Sequence, residues 1–276
     1  MTVTIIGTGK VAFHLGKKFI EKDVHIQQII GRNANKAAWL ASILNTNFET
    51  NFNKIKTDSD VYIIAVSDTA IPSVAEQLSQ VLDNQLVVHT SGSIPSTALQ
   101  PYFKNYGAFY PLQTFSVESQ PDFDNIPIFI NVTTPFLHMN AFGKGNPSGQ
   151  YLTVLKELGE KISNKVYELE DEKRIVLHIA AVFVNNFTNQ LFKMAYDILE
   201  KENLSFDVLK PLIQETVNKI HHYAPSDMQT GPAKRGDLIT IQKHLDYLNK
   251  NTPPQYFDLY KMFTELVSRN SDSAFS

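Results

Sequence analysis

The feature that most restricts how this chain can fold is a short β-rich run, Val3-Thr4-Ile5-Ile6, that stops at a glycine and passes straight into a helix-period segment. The turn between them reads Gly7-Thr8-Gly9-Lys10-Val11-Ala12. Strand, glycine turn and helix in that order are the context a dinucleotide-binding G-x-G requires. Gly7 permits the tight turn, and Gly9 lets backbone approach a pyrophosphate at the helix N-terminus. Ala12 fills the third position, which only has to be small for helix–strand packing. A glycine-rich turn that binds nothing has the same appearance, so the motif needs support from the rest of the chain.

That support begins with alternation. Helical spacing over 10–22 (Val11, Leu15, Phe19, Ile20) is followed by a strand at 24–30, a helix at 34–44, a strand at 61–66, a helix at 71–82 and a strand at 86–88. Further strands are expected at 107–110, 128–132 and 165–169, with a helix at 149–162. Strands alternating with helices imply a parallel sheet covered on both faces. After about 170 the pattern changes. A long helix fits 171–200, opening on Glu170-Asp171-Glu172 as the helix dipole prefers, and further helices fit 205–222, 237–250 and 254–269. Residues 270–276 read as a frayed tail. The expected fold is α/β: a doubly wound, mostly parallel Rossmann-type domain over 1–170, then an all-helical domain over 171–276.

Composition narrows the function. The chain has 276 residues with 43% hydrophobic and 19% charged, enough for a folded core. A net charge of −3 leaves no electrostatic footprint for nucleic acid or an anionic membrane. Cysteine is absent, which excludes disulfides, thiolate metal sites and cysteine nucleophiles. No unbroken apolar run reaches the roughly 18 residues of a membrane span, and no secretory signal pattern is visible. A cytoplasmic protein is expected.

The end of the second strand selects the nucleotide. An NAD site usually places Asp or Glu there; this chain has Gly31-Arg32-Asn33-Ala34-Asn35-Lys36. Arg32 with Asn33 and Lys36 suits a 2′-phosphate, and the missing carboxylate removes a repelling charge. NADP is therefore the expected cofactor, with a merely solvated Arg32 as the alternative. Ligands of doubly wound sheets bind outside the strand carboxyl ends. Two further loops lie there, one with Val66 and Ser67 in Ala65-Val66-Ser67-Asp68, the other with His89, Ser91 and Gly92 in His89-Thr90-Ser91-Gly92-Ser93. With Gly7, Thr8, Gly9, Lys10, Val11 and Ala12, these form the cofactor set.

The order G-T-G-K-V-A, A-V-S-D, H-T-S-G-S, Y-P-L-Q-T-F, A-A-V-F-V-N-N-F and T-G-P-A-K-R-G-D resembles a family of Rossmann-like NADP oxidoreductases whose C-terminal half is a helical domain of unknown function. It is similar in architecture to pyrroline-5-carboxylate reductases, ketopantoate reductases and β-hydroxyacid dehydrogenases. The resemblance implies a helical domain of the 6-phosphogluconate-dehydrogenase-like type, a small-molecule substrate and a homodimer, to which apolar residues of 254–269 either contribute or supply core. It implies no particular substrate. Tyr110 stands where the family would have His before Pro111-Leu112-Gln113-Thr114-Phe115, so either Tyr110 takes over as acid or that role lies elsewhere.

In such reductases the substrate lies between the nicotinamide and the first long helix of the second domain. At 100° per residue, His178, Asn185 and Asn189 fall within about 40° of arc, with Asn186 about 80° from His178. His178 is the candidate general acid, and Asn186 the group that orients a carbonyl or carboxamide. A hydrogen-bonded structural histidine with structural asparagines is the alternative. The β-hydroxyacid dehydrogenase lysine is missing from this helix. The second constellation is Thr230-Gly231-Pro232-Ala233-Lys234-Arg235-Gly236-Asp237. Asp237 reads as the N-cap of the next helix, and Arg235 with Lys234 as a hold on a substrate carboxylate. An Arg235–Asp237 contact that merely fixes the turn is the other reading. The pair His221-His222 lacks further metal ligands at useful spacing, and Ser91 lacks a nucleophile elbow. The leading reading is hydride transfer to or from a small carbonyl or imine. A non-catalytic NADP sensor or scaffold with the same fold is the alternative.

Overall fold

The protein is described here by a computed structural model that covers residues 1–134 and 147–272. Strands β1 (Thr2–Ile6), β2 (His25–Ile30), β3 (Phe48–Glu49), β4 (Val61–Ile64), β5 (Leu86–His89) and β6 (Asn105–Pro111) run parallel in the order β3-β2-β1-β4-β5-β6. β7 (Ile128–Thr133) adds antiparallel to β6, and β8 (Val166–Glu168) adds parallel to β7. This is the expected Rossmann-type, mostly parallel sheet.

Strand alternation divides the core between the two faces. Val3, Ile5, Val61, Ile63 and Val88 point to one face, against Leu15 and Phe19 of α1 (Lys10–Glu21) and Leu40 of α2 (Ala34–Ile43). Ile6, Ile30, Tyr62, Ile64 and Val87 point to the other, against Ile71, Ala75 and Leu78 of α3 (Ile71–Ser79). Leu155, Leu158 and Ile162 of α4 (Pro147–Ile162) join the first core. Full burial of each such side chain contributes about 1.5–3 kcal/mol. Across the α1–α2 pair, the rings of Phe13 and Trp39 stack at 5.5 Å.

Strand order reverses between β1 and β4, so the chain ends of those strands leave a crevice. There the Ala65 N–H donates to the Ile6 carbonyl at 2.7 Å, and the Gly7 N–H to the Ile30 carbonyl at 2.8 Å. Gly7 has φ +131°, and a Cβ on it would lie 2.1 Å from the Ala65 carbonyl oxygen. Conformation and space both demand glycine.

The chain forms two compact units, 1–185 and 186–276. A helix of 31 residues runs from Asp171 to Lys201. It comprises α5 (Asp171–Ala181), a π-helical turn at Val182–Phe187 and α6 (Thr188–Lys201). The remaining helices are α7 (Lys210–Ile220), α8 (Pro232–Arg235), α9 (Leu238–Asn251) and α10 (Pro254–Asp272). Within the second unit, Leu191, Met194, Leu248, Tyr256, Tyr260 and Phe263 surround an apolar cavity of about 360 Å³.

Four features depart from the sequence reading. The two-residue β3 is too short for a periodic signal. The expected helix over 205–222 opens as a 3₁₀ turn, Phe206–Leu209, before α7 begins. The expected frayed tail at 270–276 is helical to Asp272, and residues 273–276 lie outside the described residues. Finally, the helix Asp171–Lys201 is long and apolar enough to cross a membrane, its best 18-residue window having a mean hydropathy of 1.3. The expectation of no such segment counted unbroken apolar runs, which His178 and Asn185 interrupt; the window mean tolerates them.

Gly7→Ala is expected to destabilise the protein by about 3 kcal/mol or more, because positive φ and the contact with Ala65 both oppose a methyl group. Urea denaturation of wild type and variant measures the difference.

Candidate active site

The turn after β1 is built to receive an anion. Gly9 is the N-cap of α1 and has no side chain to satisfy the helix's first N–H groups. A Cβ at Gly9 would meet nothing within 4 Å, so the space beside that residue is open. Thr8 and Val11 are half-buried, Ala12 is buried and Lys10 is exposed. Thr8 packs on Gly31 at the end of β2, next to exposed Arg32. The Asn33 Oδ1 accepts the Lys36 N–H at 3.0 Å and so caps α2. After β4, Val66 is half-buried and Ser67 exposed. Open N–H donors, a glycine edge and a cationic strand end together fit a phosphorylated dinucleotide.

The loop after β5 folds on itself. The His89 Nδ1 accepts the Ser91 N–H at 3.2 Å, and the Ser91 Oγ accepts the N–H groups of Ser93 and Ile94 at 3.2 and 3.0 Å. The Ser93 hydroxyl donates to Asp68, tying this loop to the one after β4. Gly92 is thereby pressed against two rings. A Cβ there would come within 2.6 Å of the His178 Nδ1 and 2.7 Å of the Tyr110 Cζ.

Tyr110 is the penultimate residue of β6, and His178 comes from α5. The Tyr110 hydroxyl and the His178 Nδ1 lie 3.0 Å apart. Burial pushes the Tyr110 phenol up to about 12, with Asp68 adding to the rise and the Arg174 charge opposing it. Tyr110 therefore keeps its proton at neutral pH, and its hydroxyl donates to Nδ1 in the tautomer that carries the imidazole proton on Nε2 and accepts from Nδ1–H in the other. Tyr110 and His178 thus form one hydrogen-bonded pair.

Behind the pair lies a polar network that sequence reasoning missed. The Asp171 Oδ2 accepts the Ser96 N–H at 2.6 Å and the Ser96 hydroxyl at 2.9 Å. Its Oδ1 accepts from the Asn131 Nδ2 and the Arg174 Nη1, each at 2.7 Å. Arg174 is fully buried and also donates to the Ile94 carbonyl. Burial alone would raise the Asp171 carboxyl, but hydrogen bonds from Asn131 and Ser96 and the Arg174 charge hold it below its ordinary value. In sequence Asp171 stands out only as part of the acidic helix start Glu170-Asp171-Glu172, and Arg174 carries no motif. A signal was present in Arg174 lying one turn before His178.

Asn186 lies on the π-helical turn, and that turn alters the helical arithmetic. An i→i+5 turn holds about one residue more than an α turn, rotating the downstream residues by roughly 100°. The shared arc of His178, Asn185 and Asn189 drawn from uniform α geometry does not survive it. In the second unit, Asp237 caps α9 as its sequence suggests, accepting the Thr240 N–H at 3.0 Å and the Thr240 hydroxyl at 2.7 Å. Those bonds hold its carboxyl below the usual range. Arg235 is exposed, and the His244 Nδ1 lies 2.7 Å from the Tyr260 hydroxyl.

Comparison with known proteins fits this architecture. Residues 2–92 match the family described as NADP oxidoreductase, coenzyme F420-dependent, and residues 144–267 match a domain of unknown function, DUF2520. A Bacteroides fragilis protein provisionally described as an NADP oxidoreductase is 33% identical, covers 97% of this chain and 98% of its own, and superposes with a TM-score of 0.86. The chain belongs to this family of NADP oxidoreductases. The oxidoreductase also shares its fold with an imine reductase from Myxococcus stipitatus in complex with NADP+ (14% identity, 98% and 95% coverage, TM-score 0.62). A pyrroline-5-carboxylate reductase from Streptococcus pyogenes is similar in fold too (11% identity, 98% of each chain, TM-score 0.59). No curated protein sequence matches the chain.

His89 supplies a test of the oxidoreductase's loop packing. It is fully buried, and burial first, then the Arg174 charge, lowers its pKa from 6.5 to about 4. As pH falls, the unfolded chain takes up this proton before the folded one does, so the stabilisation is complete above pH 6.5 and is lost down to about pH 4. The shift corresponds to about 3 kcal/mol. Urea unfolding at pH 7 and pH 4 should show that loss in wild type and a clearly smaller one in His89→Asn.

Proposed function

We propose that the protein is an NADPH-dependent reductase, or NADP-dependent dehydrogenase, that acts on a small carbonyl or imine carrying a carboxylate and works as a cytoplasmic homodimer. The observation that carries this reading is the cluster of Tyr110, Gly92 and His178, at the same carboxyl end of the parallel strands as the open nucleotide turn. NADP, when bound, supplies or accepts a hydride. Gly7, Thr8, Gly9, Lys10, Val11 and Ala12 would hold its pyrophosphate at the start of α1, and Arg32 and Asn33 its 2′-phosphate. Val66, Ser67, His89, Ser91 and Gly92 would border the remainder.

His178 is the acid. In its imidazolium form Nδ1–H donates to the Tyr110 oxygen, and Nε2 gives its proton to the substrate oxygen or nitrogen, leaving a neutral ring protonated on Nδ1 that returns to the resting Nε2–H form by proton exchange with solvent. The phenol serves either form by donating to Nδ1 or accepting from it. Asn186 orients the substrate carbonyl or carboxamide. Arg235 holds a carboxylate, and Asp237 fixes the adjoining helix start through its cap.

The homodimer reading rests on the second unit. Its buried hydrophobics among the described residues are Met194, Ile241 and Leu248, while Val208, Leu212, Leu238, Ile239, Met262 and Leu266 are exposed. A second copy of the same unit completes such a half-formed core, as permanent dimer interfaces do.

A fluorescence titration should give tight NADPH binding and much weaker NADH binding, with Arg32→Ala losing about tenfold of that preference. Screening keto acids and imines for NADPH oxidation tests turnover. His178→Ala should lower the rate about 10²–10⁴-fold with NADPH affinity unchanged. NADPH binding without oxidation by any candidate would leave a nucleotide sensor and overturn the enzyme reading.

A further inference from the structure

The polar network behind His178 joins the elements that meet at Gly92, Tyr110 and His178. Asn131 faces Ala108 across the β6–β7 ladder, and its Oδ1 accepts the Ala108 N–H at 2.8 Å. Ala108 lies two residues before Tyr110 on the same strand. Through its Nδ2, the same Asn131 donates to Asp171 on α5 at 2.7 Å. One asparagine side chain thus ties the strand of Tyr110 to the helix of His178.

A second tie closes the figure. Arg174 binds Asp171 at 2.7 Å and the Ile94 carbonyl, while Ser96 donates twice to Asp171. The loop containing Gly92 is thereby fixed to the first turn of α5. Arg174 and His178 are four residues apart and share a helix face. The path runs from Gly92 through Ile94 to Arg174, along one helical turn to His178, and back to Gly92 at contact distance. Both Asp171 oxygens have two donors each, which fills the carboxylate's acceptor positions. A helix held in this way cannot rotate by one residue without breaking several charge-assisted bonds.

We propose that Asn131, Asp171 and Arg174 are positioning residues that hold the His178 Nδ1 in line with the Tyr110 hydroxyl and so keep the imidazole proton on Nε2. The functional weight of this frame rests on His178 being the proton donor proposed above, but the frame itself is measurable without a substrate. None of the three touches the reacting atoms in this arrangement. They act through the orientation and tautomer of one ring.

The test is long-range ¹H–¹⁵N NMR of the histidine rings in the full-length protein, with the His178 signals identified by their loss in His178→Gln. Wild type should show His178 with a pyridine-type Nδ1 and a protonated Nε2. Tyr110→Phe should move the ring toward the mixed tautomers of a free imidazole. Asp171→Asn should move it by at least half as far, and Ser96→Ala, which removes one of the four bonds, by a smaller amount in the same direction. Ser96→Ala keeps the measurement decisive if Asp171→Asn does not fold. His178 signals unchanged in a folded Asp171→Asn, or in Ser96→Ala where that variant alone folds, would overturn the proposal. NADPH titration of the same variants should match wild type. A wild type that fails to bind NADPH would overturn the cofactor reading, whereas unchanged ring signals overturn the frame, so the two failures are distinct. Restoration of the wild-type ring signature in Asp171→Glu, with its carboxylate retained, would support the charged tie specifically.

Discussion

A single carboxylate organises the region around the proposed chemistry. Asp171 is taken partly out of water, which is unfavourable for a charge unless its acceptor positions are filled. They are filled by donors from three places: β7, the loop after β5, and α5 itself. The interaction is local in space but joins residues up to 75 positions apart in sequence. With it in place, the Gly92 loop, the end of β6 and the first turns of α5 behave as one body. Without it, the polar ties left between them would include the Tyr110–His178 and Arg174–Ile94 hydrogen bonds, neither of which joins all three.

The sheet below imposes a different constraint. A parallel sheet must be covered on both faces, and the strand sequences accordingly alternate between two separate cores. That requirement made the fold readable from sequence: runs such as Val61-Tyr62-Ile63-Ile64 have no polar face, so they cannot be edge or solvent-facing strands. The glycine turn was equally readable, because Gly7 and Gly9 answer to local backbone needs. Asp237 belongs to the same class, since an N-cap is decided by the next three residues.

The candidate site was legible only in fragments. His178, Gly92 and Tyr110 each drew notice separately, but nothing in sequence spacing shows that a strand end, a loop glycine and a helix face meet. Their meeting depends on the register of β6 against β7 and on the packing of α5. Asp171 and Arg174 were less visible still, since an acidic helix start followed by a basic residue is the ordinary pattern of a solvated helix. Three-dimensional burial changes their meaning. The π-helical turn was also hidden, because a residue string carries no mark of which hydrogen-bond ladder it adopts, and positions beyond residue 182 depart from uniform α spacing for that reason.

The stacked pair of Phe13 and Trp39 has a practical consequence. Trp39 is the chain's single tryptophan, so all indole emission has one origin. It sits on α2, the helix entered directly from Arg32 and Asn33, against a ring of α1, the helix entered directly from the glycine turn. One optical reporter therefore lies astride the two helices whose first turns are proposed to hold the nucleotide. Shifts in its colour or lifetime report how those helices respond to a visitor, with no label added to the molecule.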